Sequence, residues 1–282
     1  MGSFARALWQ RAEAMHAVTY FSEESAQAAK DAGFKGFWMG YFGFRAAPFG
    51  QASPALVQAT FYNFHPDHVA RSLPDAWTHS TPEAALVARA ASSAATLTRV
   101  VAGVEAMAEV LVPILARLTA AADPAGRPLF AANQSLRREK PVEDLWQLLT
   151  SLREHRGDSH VAALRVADLD GCEVHVVQAA ANELPDALFQ ASRGWSEEDW
   201  AAARERLLER GLITANGLSA EGRALKDWIE ASTDAQAERY FAGTDDATRA
   251  EILRLVDGGA RAIRDAGVLR FPNPMGLAPV DG

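Results

Sequence analysis

Apolar residues along this chain recur mainly at spacings of three and four positions, and strict alternation of apolar and polar residues is rare. Such a period places apolar side chains on one face of an α-helix, so the pattern predicts a mostly α-helical fold. In the first half the predicted helices cover residues 5–18, 22–32, 37–47, 54–62, 66–72, 82–100 and 103–121. In the second half they cover residues 142–155, 159–167, 171–181, 185–192, 196–210, 219–240 and 246–266.

Helix-breaking and capping residues indicate where some of these helices begin and end. Pro124 and Pro128 predict an irregular connection after the second long helix, and the polar segment 131–141 predicts a linker between the halves. Ser196 is followed three positions later by Asp199, a spacing that is typical of a capped helix start.

Several short segments of the first half recur in the second half in the same order. Residues 8–10 (Leu-Trp-Gln) recur at 145–147, residues 56–60 resemble 188–192, Ala125-Gly126 with Phe130 recurs as Ala266-Gly267 with Phe271, and the Gly36–Gly50 spacing recurs between Gly157 and Gly171. Matches that keep their order indicate an internal duplication, with repeats at residues 1–140 and 141–282. Chance similarity within an alanine-rich helical chain is the alternative explanation.

The region from Trp195 to Glu230 contains a helix, a turn and a second helix in a recognisable pattern. The first helix ends in the run Arg210–Leu212, a turn follows at Asn216-Gly217, and a Leu-Ser-x-x-Gly motif starting at Leu218 begins the next helix. This pattern resembles the recognition helix, β-hairpin wing and following helix of MarR-type winged-helix regulators. Together with the duplication, the resemblance implies two winged-helix-like helical domains that form a pseudo-dimer, with a short β wing in the second.

The complete chain also resembles an actinobacterial family of helix-turn-helix proteins of unassigned function. The resemblance includes the aromatic run Phe37–Tyr41 and the segment Phe271–Gly276. Because Pro272 and Pro274 exclude a regular helix, we expect the tail from Phe271 to Met275 to form an extended strap. Arginine far exceeds lysine and alanine is abundant, a bias that is typical of GC-rich bacterial genomes.

The positions that would contact DNA depart from the winged-helix pattern. Winged helices place polar and basic side chains in the major groove, and basic wing residues contact phosphates. Here residues 196–200 read Ser-Glu-Glu-Asp-Trp, and the wing, residues 214–219, contains neither lysine nor arginine. The corresponding helix of the first half ends at Pro74, before any wing motif. We therefore do not expect nucleic acid to be the partner.

The composition sets further limits on function and location. A formal net charge of −8 and a pI near 5.4 oppose a broad phosphate-binding surface. Cys172 is the single cysteine, which excludes an internal disulfide and favours a buried thiol. No apolar run reaches the roughly 20 residues that span a bilayer, and no secretory signal pattern opens the chain. We expect a cytoplasmic protein that does not cross a membrane, either a monomeric pseudo-dimer or a homodimer.

Aromatic residues are concentrated in the first half. Ten of them lie between Phe34 and Phe64, whereas the corresponding segment 159–164 contains mainly small and aliphatic residues. One explanation is a bulky hydrophobic core beside small partners. The other is an aromatic-lined cavity between the repeats, because small-molecule sites combine apolar walls with a few convergent polar groups.

The cavity hypothesis selects twelve candidate ligand-binding residues, aromatic or polar in character and drawn from both halves. They are His16, Tyr20, Trp38, Tyr41, Arg45, Tyr62, Asn63, His65, His155, Arg156, Asp158 and His160. The segment 153–160 is dense in titratable groups, and burial there would change the charge of its histidines. A solvated turn capped by Asp158 is the alternative. No metal site is predicted, because His155 and His160 do not have the same-face spacing of helical metal ligands.

Three functional hypotheses remain open at this point. Familiar enzyme motifs are absent, including the phosphate-binding glycine loop, Gly-x-Ser-x-Gly and His-Glu-x-x-His. The leading hypothesis is a small-molecule-binding protein whose aromatic or heterocyclic ligand lies between two degenerate winged-helix repeats. The alternatives are a ligand-responsive transcriptional regulator and an enzyme of secondary or cofactor metabolism that uses the same cavity. The sequence identifies neither a cofactor nor catalytic residues.

Overall fold

The computed structural model describes residues 3–273, Met275 and Leu277. The first half forms helices α1 (Phe4–Phe21), α2 (Glu23–Asp31), α3 (Gly36–Ala46), α4 (Pro54–Phe61), α5 (Pro66–Ala70), α6 (Ala76–His79), α7 (Pro82–Val100), α8 (Val104–Ala121) and α9 (Pro128–Gln134). The second half forms α10 (Pro141–Val166), α11 (Glu173–Asn182), α12 (Asp186–Arg193), α13 (Glu197–Glu209), β1 (Ile213–Thr214), β2 (Gly217–Leu218), α14 (Ala220–Glu238) and α15 (Asp246–Asp265). Short 3-10 turns follow α3 (Ala47–Phe49) and α14 (Arg239–Phe241). The predicted mostly helical fold with a short β wing in the second half is confirmed.

Most helices begin where local chemistry favours a start. Ser22, Ser53 and Thr81 each accept a hydrogen bond from the backbone N–H three residues later. Ser196 and Asp199 form the predicted capping box at the start of α13. These side chains satisfy backbone N–H groups that a helix start otherwise leaves unpaired, which is why the predicted starts agree closely with the observed ones.

Two predicted helix boundaries are wrong. The helix break expected at Gly157 is absent, because α10 continues through it. A glycine inside a helix costs only about 1 kcal/mol relative to alanine, and packing on both sides of α10 outweighs this cost. The linker expected at 131–141 starts later, because Pro128 begins α9 and the Phe130 N–H donates to the Asp158 carboxylate at 2.9 Å.

Each half carries a small group of helices with its own hydrophobic core, here called a head. The first head comprises α3 to α6 and the start of α7, around Phe42, Phe44 and Phe64. The second head comprises α11 to α13, the β1–β2 hairpin and the start of α14, around Phe189 and Trp200. In the first head α6 occupies the place of the hairpin in the chain order, so among the described residues the short two-stranded sheet belongs to the second head.

The remaining helices build one core that belongs to both halves, here called the shared core. It contains α1, α7, α8, α10 and α15. Helix α1 packs along α15, and α10 packs along α8, so the first helix of each half pairs with the last long helix of the other. Trp146 is fully buried in this core and donates from Nε1 to the His16 carbonyl oxygen at 3.2 Å. Neither half therefore completes this core alone.

The element order agrees with most of the sequence matches. Trp9 and Trp146 lie at the same position within α1 and α10, and residues 56–60 and 188–192 do so within α4 and α12. Reciprocal pairing of first and last helices is also what a pseudo-twofold axis produces. The glycine match does not hold, because Gly36 begins α3 whereas Gly157 lies inside α10. The division into repeats at 1–140 and 141–282 stays a prediction.

Three remaining expectations concern the thiol, the tail and membranes. The Cys172 thiol is buried, and burial raises its pKa to about 12. Residues 271–273 are not helical, and Met275 and Leu277 pack against the shared core. Pro274, Gly276 and residues 278–282, which fall within the predicted strap and second repeat, lie outside the described residues. Over the described ranges, no helix combines the length and apolarity needed to cross a membrane.

Candidate ligand-binding cavity

A cavity of about 440 Å³ lies where the two heads meet the shared core. Its lining comes mainly from α1, α3 and α4 of the first half and from α10, α11, α12 and α14 of the second half. The volume falls within the range of roughly 300–1,000 Å³ that is usual for small-molecule sites. Because both halves contribute walls, the cavity depends on how they pack together.

One wall of the cavity is aromatic. Helix α3 contributes Trp38 and Tyr41, whose ring centroids are 5.6 Å apart, and the Tyr20 ring of α1 lies 4.6 Å from Tyr41. At the rim, the half-exposed rings of Phe21 and Phe37 are 6.4 Å apart. Burial raises the pKa of the Tyr20 phenol, so its hydroxyl stays protonated at neutral pH. The wall offers ring faces together with hydroxyl groups.

The opposite wall is one face of α10. Arg153, Arg156 and His160 follow each other at spacings of three and four residues and all line the cavity, with Gly157 between them. The His160 Nδ1 lies 3.1 Å from the Thr233 hydroxyl oxygen. Burial lowers the pKa of His160 to about 4, so its imidazole is neutral at neutral pH. This wall therefore combines two cations with a neutral hydrogen-bonding ring.

An ionic network joins the two walls at the inner end. The Arg153 guanidinium lies 3.2 Å from Glu13 and 2.6 Å from Glu154, and the Arg45 Nε lies 3.4 Å from Glu154. Burial alone would raise the pKa of Glu154, but the positive charges of Arg153 and Arg45 outweigh it and hold the pKa at about 2. Arg45 also donates to the Tyr41 hydroxyl at 3.3 Å and lies 4.0 Å above the Phe61 ring. The network fixes Arg45 within the aromatic wall.

A second ionic network holds α1, α10 and α14 together beside the cavity. Arg156 pairs with Glu230 at 3.2 Å and with Asp234 at 3.0 Å. Arg6 pairs with the same two carboxylates at 2.8 and 2.6 Å. The Arg156 guanidinium also lies 4.2 Å from the centre of the Trp9 ring. These charged side chains are thus held in place before any ligand arrives.

The segment 62–64 lines the cavity and contacts the second head. Tyr62 has a φ of 66° and a ψ of −59°, and the Asn63 N–H donates to the Phe61 carbonyl at 2.8 Å. These are the features of a γ-turn with positive φ, a strained conformation that costs about 1–3 kcal/mol. The Tyr62 hydroxyl donates to the Leu169 carbonyl, and the Trp195 Nε1 donates to the Asn63 carbonyl at 3.2 Å. Contacts with the second head therefore hold the strained turn in place.

Glycines allow the two heads to approach this closely. A Cβ at Gly171 would lie 2.5 Å from the Tyr62 carbonyl oxygen, and a Cβ at Gly194 would lie 2.6 Å from the His68 Cβ. Gly194 additionally has a φ of 80°, which other residues rarely adopt. Since both contacts cross between the heads, a larger residue at either position would require the heads to shift.

The structure places eight of the twelve candidate residues around this cavity. They are Tyr20, Trp38, Tyr41, Arg45, Tyr62, Asn63, Arg156 and His160. Four candidates lie elsewhere. His65 borders an open cleft between α5 and α13, where its Nε2 is 3.9 Å from Asp199. The other three are buried inside the protein and are absent from the cavity wall: His16, His155 and Asp158.

Each of these three buried residues has structural neighbours. His16 Nδ1 lies 3.0 Å from the Thr150 hydroxyl, which holds α1 against α10. The His155 ring lies 4.9 Å from the Phe130 ring, and burial lowers its pKa to about 4. His16 and His155 therefore pack against different partners. Asp158 receives the N–H of Phe130, so it caps the start of α9.

Several residues that line the cavity were not predicted from the sequence. They are mainly charged or aromatic residues on α1, α12 and α14: Arg6, Trp9, Glu13, Arg193, Lys226 and Glu230. On α1 the residues Arg6, Trp9 and Glu13 share one helix face by their spacing of three and four. That periodicity was available in the sequence. Arg193 and Lys226 had no local signal, because only the packing of the second head brings them to the cavity.

Helix α13 of the second head presents an acidic surface. On the exposed side of α13 lie four carboxylates: Glu197, Glu198, Glu205 and Glu209. Arg206 on the same helix pairs with Asp170 at 2.5 Å and with Glu173 at 2.8 Å. Within the described residues, no group of three or more His, Cys, Asp or Glu side chains could hold a metal ion.

The fold and the cavity define a class of protein: a helical molecule with two heads, one of them with a short β-hairpin, around a shared core and a cavity. Comparison with known families agrees with the helical part of this description. Residues 5–270 match a helix-turn-helix family, and the chain belongs to that family. No curated protein and no solved structure gives a significant match.

Proposed function

We propose that this protein binds a small aromatic or heterocyclic molecule in the cavity between its two halves. The observation that carries the proposal is the aromatic wall of Trp38, Tyr41 and Tyr20 facing the polar α10 face across a space of about 440 Å³. Apolar walls with a few fixed polar groups are the usual design of small-molecule sites. Ion pairs hold Arg45 and Arg156 in position, which reduces the ordering cost of binding.

The segment 62–64 supports a link between binding in the cavity and the packing of the two heads. Tyr62 and Asn63 line the cavity and also contact Leu169 and Trp195 of the second half. A ligand that moved the strained turn would alter the contact between the heads. Strained residues persist where the surrounding structure holds them, and they often accompany ligand sites.

Fluorescence titration with the uncharged probe N-phenyl-1-naphthylamine tests the proposal. We expect saturable binding of one probe per chain. Tyr41→Ala should weaken that binding by roughly 1–3 kcal/mol, because it removes ring stacking and apolar contact. Trp228→Ala is the matched control, since Trp228 is 44% exposed and lies outside the cavity wall.

Equal loss of binding in both variants would show that the probe occupies the surface rather than the cavity. Thermal denaturation of each variant separates a binding effect from a folding effect. If Tyr41→Ala lowers the melting temperature but leaves the dissociation constant unchanged at temperatures where it is folded, Tyr41 is a core residue and the proposal fails.

A ligand-responsive transcriptional regulator is the second candidate function. Membership of a helix-turn-helix family favours it, because that family points to a DNA-binding or regulator-like role. The acidic side of α13 and the contact between the heads argue against the usual binding mode, in which recognition helices contact successive major grooves. An electrophoretic mobility shift at low salt, with random and genomic duplexes, distinguishes the two candidates. Salt-resistant, sequence-specific binding would favour the regulator.

A further inference from the structure

We propose that the occupant of the cavity carries an acidic group, with its anion near Arg45, Arg153 and Arg193 and its apolar rings against the aromatic wall. The chemical class is therefore a planar aromatic oxyanion such as a carboxylate, sulfonate or phosphate ester. This inference rests on the proposed function, since it specifies the ligand of the same cavity.

The charge of the cavity wall is opposite to that of the chain. Among the described residues, the wall contains six cations and two carboxylates: Arg6, Arg45, Arg153, Arg156, Arg193 and Lys226 against Glu13 and Glu230. The whole chain has 28 Lys and Arg residues against 36 Asp and Glu residues. With Glu154 and Asp234 behind the wall, the six cations face four carboxylates. The wall therefore concentrates positive charge within an acidic protein.

Three arginines line the same cavity, and only Arg45 and Arg153 among them share the carboxylate of Glu154. Arg45 and Arg193 are almost completely buried, and both line the cavity with Arg153. Burial, followed by the charges of Arg45 and Arg153, lowers the pKa of Arg193 to about 10, against an opposing effect of Tyr41. Like charges in a poorly solvated site attract a counterion, and a bound oxyanion would reduce their repulsion.

The aromatic side chains place the apolar part of the ligand beside this cationic end. The Arg45 guanidinium lies over Phe61 at 4.0 Å, and the Arg193 guanidinium lies over Phe64 at 4.7 Å. Stacking on rings holds the planes of both guanidinium groups while their edges can donate to an oxyanion. A ring system attached to the anion would then extend along Trp38 and Tyr41.

Two probes that differ by a single charge test the inference on the intact protein. 8-Anilinonaphthalene-1-sulfonate has the rings of N-phenyl-1-naphthylamine plus one sulfonate. At low salt we expect the sulfonate to bind about tenfold tighter, to compete with the neutral probe, and to lose part of this advantage as salt rises. The net charge of −8 of the chain opposes a general electrostatic attraction of the sulfonate, so a preference for it indicates a local cationic site.

Variants of Arg45 test whether this residue causes the preference for the sulfonate over the neutral probe. Arg45→Gln should weaken sulfonate binding about tenfold and leave the neutral probe within about threefold, whereas Arg45→Lys should retain most of the preference. If Arg45→Gln does not fold, Arg193→Gln serves as the alternative, and the comparison of the two probes on the wild-type protein needs no variant.

The outcomes separate the two proposals. The anion inference is overturned if the neutral probe binds as tightly as the sulfonate or tighter. It is also overturned if both glutamine variants keep the preference for the sulfonate, and in either case the cavity proposal stays intact. Failure of both probes to bind in the cavity overturns the proposed function itself, and this inference with it.

Discussion

Replacing Asp158 by asparagine tests whether this residue serves the fold rather than the ligand. The side chain is buried on α10, away from the cavity wall, and accepts the N–H of Phe130 at the start of α9. Burial raises the pKa of Asp158 from 3.8 to about 7, with a smaller contribution from the negative charge of Glu154 and against the opposing effect of the hydrogen bond from Phe130. Asparagine retains an acceptor oxygen and never ionises.

The raised pKa sets the sign and the pH range of the effect. The folded protein holds the Asp158 proton more tightly than the unfolded chain, so the stabilisation is present at low pH and is lost as pH rises through about 7. About two pKa units of this difference take effect between pH 5 and pH 8. They lower the free energy of unfolding of the wild type by about 3 kcal/mol over that range. Asp158→Asn should therefore gain stability relative to the wild type by about 2–3 kcal/mol over that range.

Urea denaturation of both proteins at pH 5 and pH 8 measures this difference directly. Subtracting the free energy of unfolding of the wild type from that of the variant cancels the contribution of all other titrating groups. A difference that does not change with pH, or that favours aspartate at pH 8, would show that Asp158 is ionised in the folded protein. N-phenyl-1-naphthylamine binding should be the same in both proteins, and a loss in the variant would return Asp158 to the site.

Three further predictions concern the halves, the heads and DNA. Fragments 1–140 and 141–282 should be poorly folded alone, because each lacks partners for the shared core, and should form a 1:1 complex when co-expressed; circular dichroism and light scattering check this. Gly171→Ala should destabilise the protein by about 1–3 kcal/mol in thermal denaturation, because its Cβ would meet the Tyr62 carbonyl. Duplex DNA should bind no tighter than about 1 μM in about 150 mM salt, and tighter sequence-specific binding would contradict the acidic surface of α13.

The helices were predictable where their start signals are local. Ser53 with Pro54, Thr81 with Pro82 and Ser196 with Asp199 all act within a few residues. Helix α9 was missed because the carboxylate that caps it, Asp158, lies 28 residues away from the N–H it receives. Such a contact exists only after α10 has packed beside α9.

The cavity was partly predictable for a similar reason. The aromatic concentration in the first half made Trp38 and Tyr41 candidates, with Arg45 as a polar group expected beside them, and the structure places all three at the cavity. The polar wall on α10 was not predicted because a helix break was expected at Gly157. Arg153, Arg156 and His160 share one side only if α10 is continuous. The same error placed His155 and Asp158 among the candidates, although they lie on the opposite side of that helix.

Locating a bound aromatic molecule tests the central claim most directly. Crystals of the protein with 6-bromo-2-naphthol, measured at the bromine absorption edge, would show the position of the ligand without assumptions about its contacts. We predict one bromine site per chain, in van der Waals contact with Trp38 or Tyr41 and enclosed by the α10 face. Bromine found only on the outer surface, for example beside the exposed Trp228, with no bromine in the cavity, would contradict the account.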